Sequence, residues 1–242
     1  MRIATWNCYR GDCLTRATEL APLDADVAVL QECSQPAGRL ARGRCAWFGV
    51  NPAHGVGVVA RRPFKVMSGP LDARLDHSAF PAVVTGPTRF HMLAVWALPR
   101  PTYVRALLDA LDTYADFLRA APSIVVGDFN CFTQWRGAPP SRHHVELARR
   151  LADDFNLVSA YHAAPDHDAD APERPTHFWR WREHHPFHID YCFVPEAWAP
   201  KIRSVHVGGF AEQHWHSDHR PVVVDLDLPA PRPPRRAHVP PV

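Results

Sequence analysis

The sequence predicts an α/β domain in which two packed β-sheets carry helices on their outer faces. Three observations carry that reading. Short apolar runs rich in Val and Ile recur along the chain, each bounded by Gly, Pro or charge, as strands are. Helical periodicity is confined to a few segments scattered between them. The chain has 242 residues, 46% hydrophobic and 21% charged, which suits one large domain or two small ones with enough apolar content to bury a core.

In chain order the strand signals are Ile3 to Trp6, Val27 to Leu30, Val56 to Ala60, Ala82 to Thr85, Phe90 to Ala97, Ile124 to Val126, Ile189 to Val194, Ile202 to Val207 and Val222 to Leu226. The strongest helix signal is Tyr103 to Ala120, where Leu107, Leu108, Leu111, Tyr114, Ala115 and Leu118 repeat every three to four residues. Weaker helices are expected at Thr15 to Ala21 and His143 to Leu151. Ala163 to Pro175, rich in Ala, Asp and Pro, reads as a loop. The domain is expected to occupy residues 1–228. Residues 229–242 (PAPRPPRRAHVPPV) are too poor in apolar side chains to pack and read as a disordered Pro/Arg-rich tail.

Net charge is only +2, which does not by itself call for a nucleic-acid partner. Among the basic residues only Lys65 and Lys201 are lysine, and the arginine forks suit phosphate as well as they suit a solvated surface. The N-terminus lacks an apolar signal segment, and no run approaches the ~18 apolar residues that span a bilayer. The default expectation is a cytoplasmic protein. Six cysteines (Cys8, Cys13, Cys33, Cys45, Cys131, Cys192) show no CxxC spacing and are expected to be free.

The chemistry-bearing residues sit at the ends of apolar runs, where strands would deliver them to a common rim. Asn7 closes the first run and Glu32 follows the second. Asp128 and Asn130 follow Ile124 to Val126. Asp190 lies in His-Ile-Asp-Tyr, and Asp218 with His219 precedes the last run. One such residue is usually a cap or a turn former. Seven together suit phosphoryl transfer, which needs a hard cation on oxygen ligands, an oriented water and neutralised charge on the non-bridging oxygens.

The segments TWN (Thr5 to Asn7), QE (Gln31, Glu32), GDFN (Gly127 to Asn130), IDY (Ile189 to Tyr191) and SDHRPV (Ser217 to Val222), in that order, resemble the endonuclease/exonuclease/phosphatase superfamily. The match runs from Met1 to about Leu228. The resemblance implies a deoxyribonuclease I-like four-layer sandwich of two mostly antiparallel sheets flanked by helices. It also implies a phosphoesterase using Mg2+ or Mn2+. By position it makes Glu32 the principal metal ligand, helped by Asn7 and Asp218. Asp128 would orient or deprotonate the attacking water, and Asn130 would hydrogen-bond the phosphate. His219 would contact a phosphoryl oxygen with Asp190 fixing its ring. Cys8, Cys33, Cys131 and Cys192 flank these positions. Thiolates suit magnesium poorly, so buried packing is expected of them.

One departure stands out. Many relatives carry histidine, or tyrosine before a proline, where this chain has Trp96, whose indole is a donor only. Either the role is absent or His91, Arg100 or Tyr103 supplies it. Candidate substrate contacts are therefore Trp96, Arg100 and Tyr103, together with Trp179 and Arg180. The last two lie in Thr176–Arg182, where aromatics alternate with arginines. That pattern fits stacked bases and phosphates, and it fits equally a strand with buried aromatics and exposed arginines. The basic clusters Arg39/Arg42/Arg44 and Arg61/Arg62/Lys65 read as solvated faces. His184, His185, His188, His214, His216 and His219 match no standard zinc spacing.

A nuclease acting on nucleic acid is the favoured reading. A phosphatase or phosphodiesterase acting on a small molecule or lipid headgroup is the alternative. A catalytically dead binding module would have lost Glu32, Asp128 or His219, and all three are present. Substrate, metal number and oligomeric state are left open by the sequence.

Overall fold

The computed structural model describes residues 1–37, 43–72, 78–131, 144–168, 171–212 and 216–229. Its strands are β1 (Arg2–Asn7), β2 (Val27–Cys33), β3 (Cys45–Asn51), β4 (His54–Ala60), β5 (Lys65–Ser68), β6 (Ala79–Thr85), β7 (Phe90–Trp96), β8 (Ser123–Asp128), β9 (Leu157–Ser159), β10 (His177–Phe178), β11 (Pro186–Phe187), β12 (Asp190–Pro195), β13 (Ile202–Val207) and β14 (Val222–Leu226). The α-helices are α1 (Cys13–Glu19), α2 (Tyr103–Thr113), α3 (Ala115–Arg119) and α4 (His144–Phe155).

Two six-stranded sheets form, one in the order β13-β14-β1-β2-β4-β3 and the other β5-β6-β7-β8-β12-β9. Each contains one parallel pair, β1 with β2 and β7 with β8, and is otherwise antiparallel. Strand alternation then sorts the apolar residues into layers. Ile3, Val27, Val29, Met92, Ala94, Ile124, Val126, Cys192 and Val224 fill the space between the sheets. Ala4, Trp6, Leu20 and Leu30 form a smaller core with Cys13 of α1 outside the first sheet. Leu93, Val125, Tyr191 and Phe193 pack under α2, α3 and α4 outside the second. The expected four-layer sandwich is therefore observed.

The differences from expectation have local causes. Strands β5 and β9 are short and lie at a sheet edge, where β5 buries one residue of four; β3, at the edge of the other sheet, is the apolar run Cys45–Asn51, which the sequence reading did not include. The helix expected over Tyr103 to Ala120 breaks at Tyr114 (φ −99°, ψ 17°), whose hydroxyl accepts from the Asp72 amide at 3.3 Å. Helix α1 begins ahead of Thr15 because Asp12 caps it, accepting from the amides of Leu14 and Thr15 at 3.0 Å each. Helix α4 continues to Phe155, beyond Leu151. His143, Arg39, Arg42, His214 and all of the expected tail after Pro229 lie outside the described residues.

Gly127, just before Asp128, is where the second sheet is tightest. Its φ is +146°, and a Cβ there would stand 2.0 Å from the Val95 carbonyl oxygen on β7. Gly127→Ala is expected to cost ~3 kcal/mol or more, because it adds a backbone clash to a conformation that L-residues avoid. Chemical denaturation checks this, and a loss below ~1 kcal/mol would show that β7 and β8 can part cheaply.

Candidate active site

The same alternation that builds the inner core delivers the site. Continuing inward from Ile3 and Thr5 gives Asn7, and from Val27 and Val29 gives Gln31. From Ile124 and Val126 it gives Asp128, from Cys192 and Val194 it gives Asp190, and from Met92 and Ala94 it gives Trp96. The register places them at one end: Asn7 opposite Gln31, and Asp128 opposite both Asp190 and Trp96.

Glu32 breaks the alternation. Without correction it would turn away from the inner face. A bulge intervenes, with Gln31 paired to Val56 and Cys33 to Gly55, so Glu32 is the extra residue. Its φ of 60° puts a glutamate in the left-handed region, a strained conformation characteristic of functional positions. Its carboxylate is thereby re-aimed onto the Asn7 side chain.

The motifs hold one another. The Gln31 amide donates to the Thr5 hydroxyl at 3.0 Å, and the Trp6 indole donates to the His219 carbonyl at 3.2 Å. Ser217 donates to the Asn7 carbonyl at 2.7 Å and accepts from the His219 amide at 3.0 Å. The Asn7 amide donates to Glu32 and to Asp128, both at 3.0 Å. Asp128 also accepts from the Asn130 backbone at 2.9 Å and side chain at 3.1 Å. The second Asn130 side-chain bond goes to the Ala97 carbonyl at 3.2 Å, so this amide points inward and first of all positions Asp128. His219 Nδ1 meets Asp190 Oδ2 at 2.9 Å with both side chains buried, and the Thr176 hydroxyl accepts from the Asp190 amide at 3.1 Å.

Burial opposes charge throughout. It pushes the Asp128 carboxyl up to about 7, against the His219 charge and the Asn7 hydrogen bond. Burial also disfavours the His219 cation, yet Asp190, Asp128 and Asp218 together outweigh it and raise the imidazole to about 10. Asp218 lies below its ordinary value: burial raises it, but the His177 hydrogen bond and the nearby His219 charge prevail.

The donor set fits a hard divalent cation. Glu32, Asp128, Asp190 and Asp218 crowd carboxylate oxygens around two imidazoles and an amide, and Asp190 Oδ1 is buried without a partner among the described residues. Such a charge excess is relieved by a cation on oxygen ligands. Ligand atoms of Asp128, Asp190 and His219 lie within 4.8 Å of one another. Of the three expected metal ligands, Asn7 and Glu32 are in contact, whereas Asp218 pairs with His177 at 3.3 Å.

The other expected residues separate. Trp96 is half-buried against the inner core, in register with Asp128. His91 lies at the opposite end of β7, stacked at 4.2 Å on Phe117 and bonded to its carbonyl, so it does not replace the missing histidine. Tyr103 packs on the core under α2, and Arg100 is exposed on the turn before it. Cys8, Cys33, Cys131 and Cys192 are buried free thiols, and burial pushes Cys192 up to about 12.

Thr176–Arg182 is not an alternating strand. After β10 it turns through Arg180 and Trp181, both in the left-handed region, which leaves Trp179 43% and Trp181 48% exposed. Arg180 lies 4.4 Å over the Trp179 ring, and Trp179 stacks on His185. Tyr9 and Arg10, which sequence reasoning missed, join this rim: Tyr9 is exposed and meets Trp181 edge-on at 5.1 Å, with Arg10 over its ring. Their only signal was position, directly after Asn7 and Cys8. His177 was also unassigned; it reaches Asp218 and lies 4.3 Å from the His219 ring.

Comparison with known proteins agrees with this fold. By structure the chain is similar to the 3'-5' exonuclease NExo from Neisseria meningitidis (TM-score 0.68, 21% identity, 94% of this chain and 100% of that one). It is also similar to an AP endonuclease from Archaeoglobus fulgidus (0.67, 15%, 94% and 100%) and to the endonuclease domain of the telomere-specific non-LTR retrotransposon TRAS1 (0.66, 18%, 94% and 98%). No curated protein sequence matches it. The model of the Endonuclease/Exonuclease/phosphatase family matches residues 4–219, from within β1 to the histidine held by Asp190. The chain therefore belongs to that family and is a metal-dependent phosphoric ester hydrolase.

Proposed function

We propose that the chain is a nuclease that hydrolyses phosphodiester bonds of nucleic acid with Mg2+ or Mn2+. The observation that carries this reading is the exposed rim of Tyr9, Arg10, Trp179, Arg180 and Trp181. It is continuous with the site, because β10 runs from Phe178, whose amide bonds the Asp218 carbonyl at 2.8 Å, directly into Trp179. Indoles and a phenol beside guanidinium groups suit unstacked bases and their phosphates. A solved structure to which the chain is similar, the 3' phosphatase NExo from Neisseria bound to a product DNA hairpin, is consistent with a nucleic-acid substrate.

In this mechanism Glu32, Asn7 and Asp218 hold the cation, which neutralises phosphoryl charge when bound. Asp128, ionised as pH rises through about 7, accepts the proton of the attacking water. Asn130 fixes Asp128, and the His219 imidazolium faces the growing charge with its ring set by Asp190. In the metal-free protein Asp128 ionises as pH rises through about 7 and His219 stays cationic until pH approaches about 10; a bound cation favours the Asp128 carboxylate, so activity should rise with pH along an acidic limb set below about 7.

A panel of abasic, single- and double-stranded DNA, RNA, inositol phosphates and sphingomyelin tests the reading. Trp179→Ala, Trp181→Ala and Tyr9→Ala are expected to weaken single-strand binding, by ~1–3 kcal/mol where a base stacks, with melting temperature unchanged. Hydrolysis of a small-molecule or lipid phosphoester with none of nucleic acid would overturn it.

A further inference from the structure

We propose that Cys13 and Cys45 form a redox modification site, a dithiol that a hydroperoxide converts into an intramolecular disulfide. Both pack on the outer face of the first sheet, the side opposite Asn7 and Gln31. The sheet supplies the geometry. Gly57 on β4 stands opposite Leu30 on β2 and Trp47 on β3. Cys33 stands opposite Gly55 and Cys45 opposite Val59, so the two cysteines are diagonal neighbours of Gly57 on its outer face. Gly57 has no side chain to fill the space between them, and Cys13 at the start of α1 fills it instead. A Cβ at Gly57 would stand 2.1 Å from Cys13 Sγ and 3.2 Å from Cys33 Sγ. The Cys13 thiol also hydrogen-bonds the Cys45 sulfur. Three free thiols therefore meet over one glycine, although no CxxC spacing announces them in the sequence.

Access singles out Cys45. Cys13 and Cys33 are fully buried, whereas Cys45 is half-buried. A cleft of about 280 Å³ is lined by Leu14 and Arg44, the chain neighbours of Cys13 and Cys45, and by Val59, which pairs with Cys45. The hydrogen bond from Cys13 holds the Cys45 thiol below its ordinary value, against burial and the Asp12 carboxylate, and a thiolate is the nucleophile. Burial alone raises Cys192, and burial with the Asp128 charge raises Cys131, so neither competes. In the first step the Cys45 thiolate attacks one peroxide oxygen, the O–O bond breaks, hydroxide leaves and a sulfenic acid forms. The Cys13 sulfur then attacks the Cys45 sulfur. The S–S bond forms, the S–O bond breaks, and the Cys13 proton leaves with that oxygen as water. The two sulfurs are oxidised by two electrons and the hydroperoxide is reduced. The product ties the first residue of α1 to β3 across β4, and a thiol reductant reverses it.

The test needs neither metal nor phosphoester. The reduced protein is treated with hydrogen peroxide, its remaining thiols are alkylated, and the unreduced digest is mapped by mass spectrometry. A Cys13–Cys45 cross-link is expected, within a single chain on a non-reducing gel and reversed by dithiothreitol. Cys45→Ser should lose the cross-link and slow peroxide consumption by roughly tenfold or more. Cys13→Ala should stop at the Cys45 sulfenic acid, which dimedone traps. Melting temperatures of the reduced variants confirm that each is folded, and the wild-type map decides the question by itself if one is not. A Cys13–Cys33 bond that persists in Cys45→Ser, a disulfide between two copies of the chain, or oxidation of Cys131 or Cys192 ahead of Cys45 overturns the proposal.

Discussion

Asp190→Asn and His219→Ala are each expected to lower kcat by about 10³-fold or more, and the double mutant to be scarcely worse than the worse single one. The two groups touch at 2.9 Å with 0% and 8% of their side chains exposed, so neither is screened by water. In the metal-free protein, burial works against the His219 cation and three carboxylates overcome it, placing its pKa at about 10. Asn at position 190 removes the strongest of the three while leaving the burial. The imidazole should then titrate well below 10, observable by NMR. A neutral ring at working pH no longer stabilises phosphoryl charge, and its tautomer is no longer set. Thr176 still bonds the residue-190 amide, so the fold should persist. Free-energy losses that sum across the two sites would show that the residues act independently.

The sequence made the inner strands legible because they are apolar on both faces or alternate cleanly, and their ends named Asn7, Asp128 and Asp190. Edge strands such as β5 escaped because they bury too little to leave a pattern. The bulge at Glu32 was invisible for a different reason. Strand alternation would turn that residue away from the site, and only a backbone conformation brings it back. Trp179 and Trp181 could not be assigned to core or surface because a period of two looks the same in a strand and in a left-handed turn; two positive φ angles decide it. His177 belongs to a third class, a residue whose partner, Asp218, is distant in sequence and adjacent only across the β10 bridge.

Glu32 offers the sharpest separation of function from folding. Removal of divalent metal by EDTA should abolish hydrolysis, with restoration by Mg2+ or Mn2+, and Glu32→Gln should weaken that restoration severely. Metal binding should also raise the melting temperature by mass action, and Glu32→Gln should lose most of that rise. The backbone supplies a stricter test. A left-handed φ of 60° costs a non-glycine residue ~1 kcal/mol, which Gly does not incur. Glu32→Gly also removes one carboxylate from a crowded acidic site and gives up one hydrogen bond to Asn7 at 3.0 Å, itself worth ~1 kcal/mol. In metal-free buffer these terms nearly cancel, so Glu32→Gly should melt within a few degrees of wild type while showing no detectable hydrolysis. That outcome would mark Glu32, held in an unfavourable conformation yet removable without harm to the fold, as present for the cation. If Glu32→Gly instead melts far below wild type and retains activity, the bulge serves the sheet, and the ligand role belongs to another carboxylate of the site.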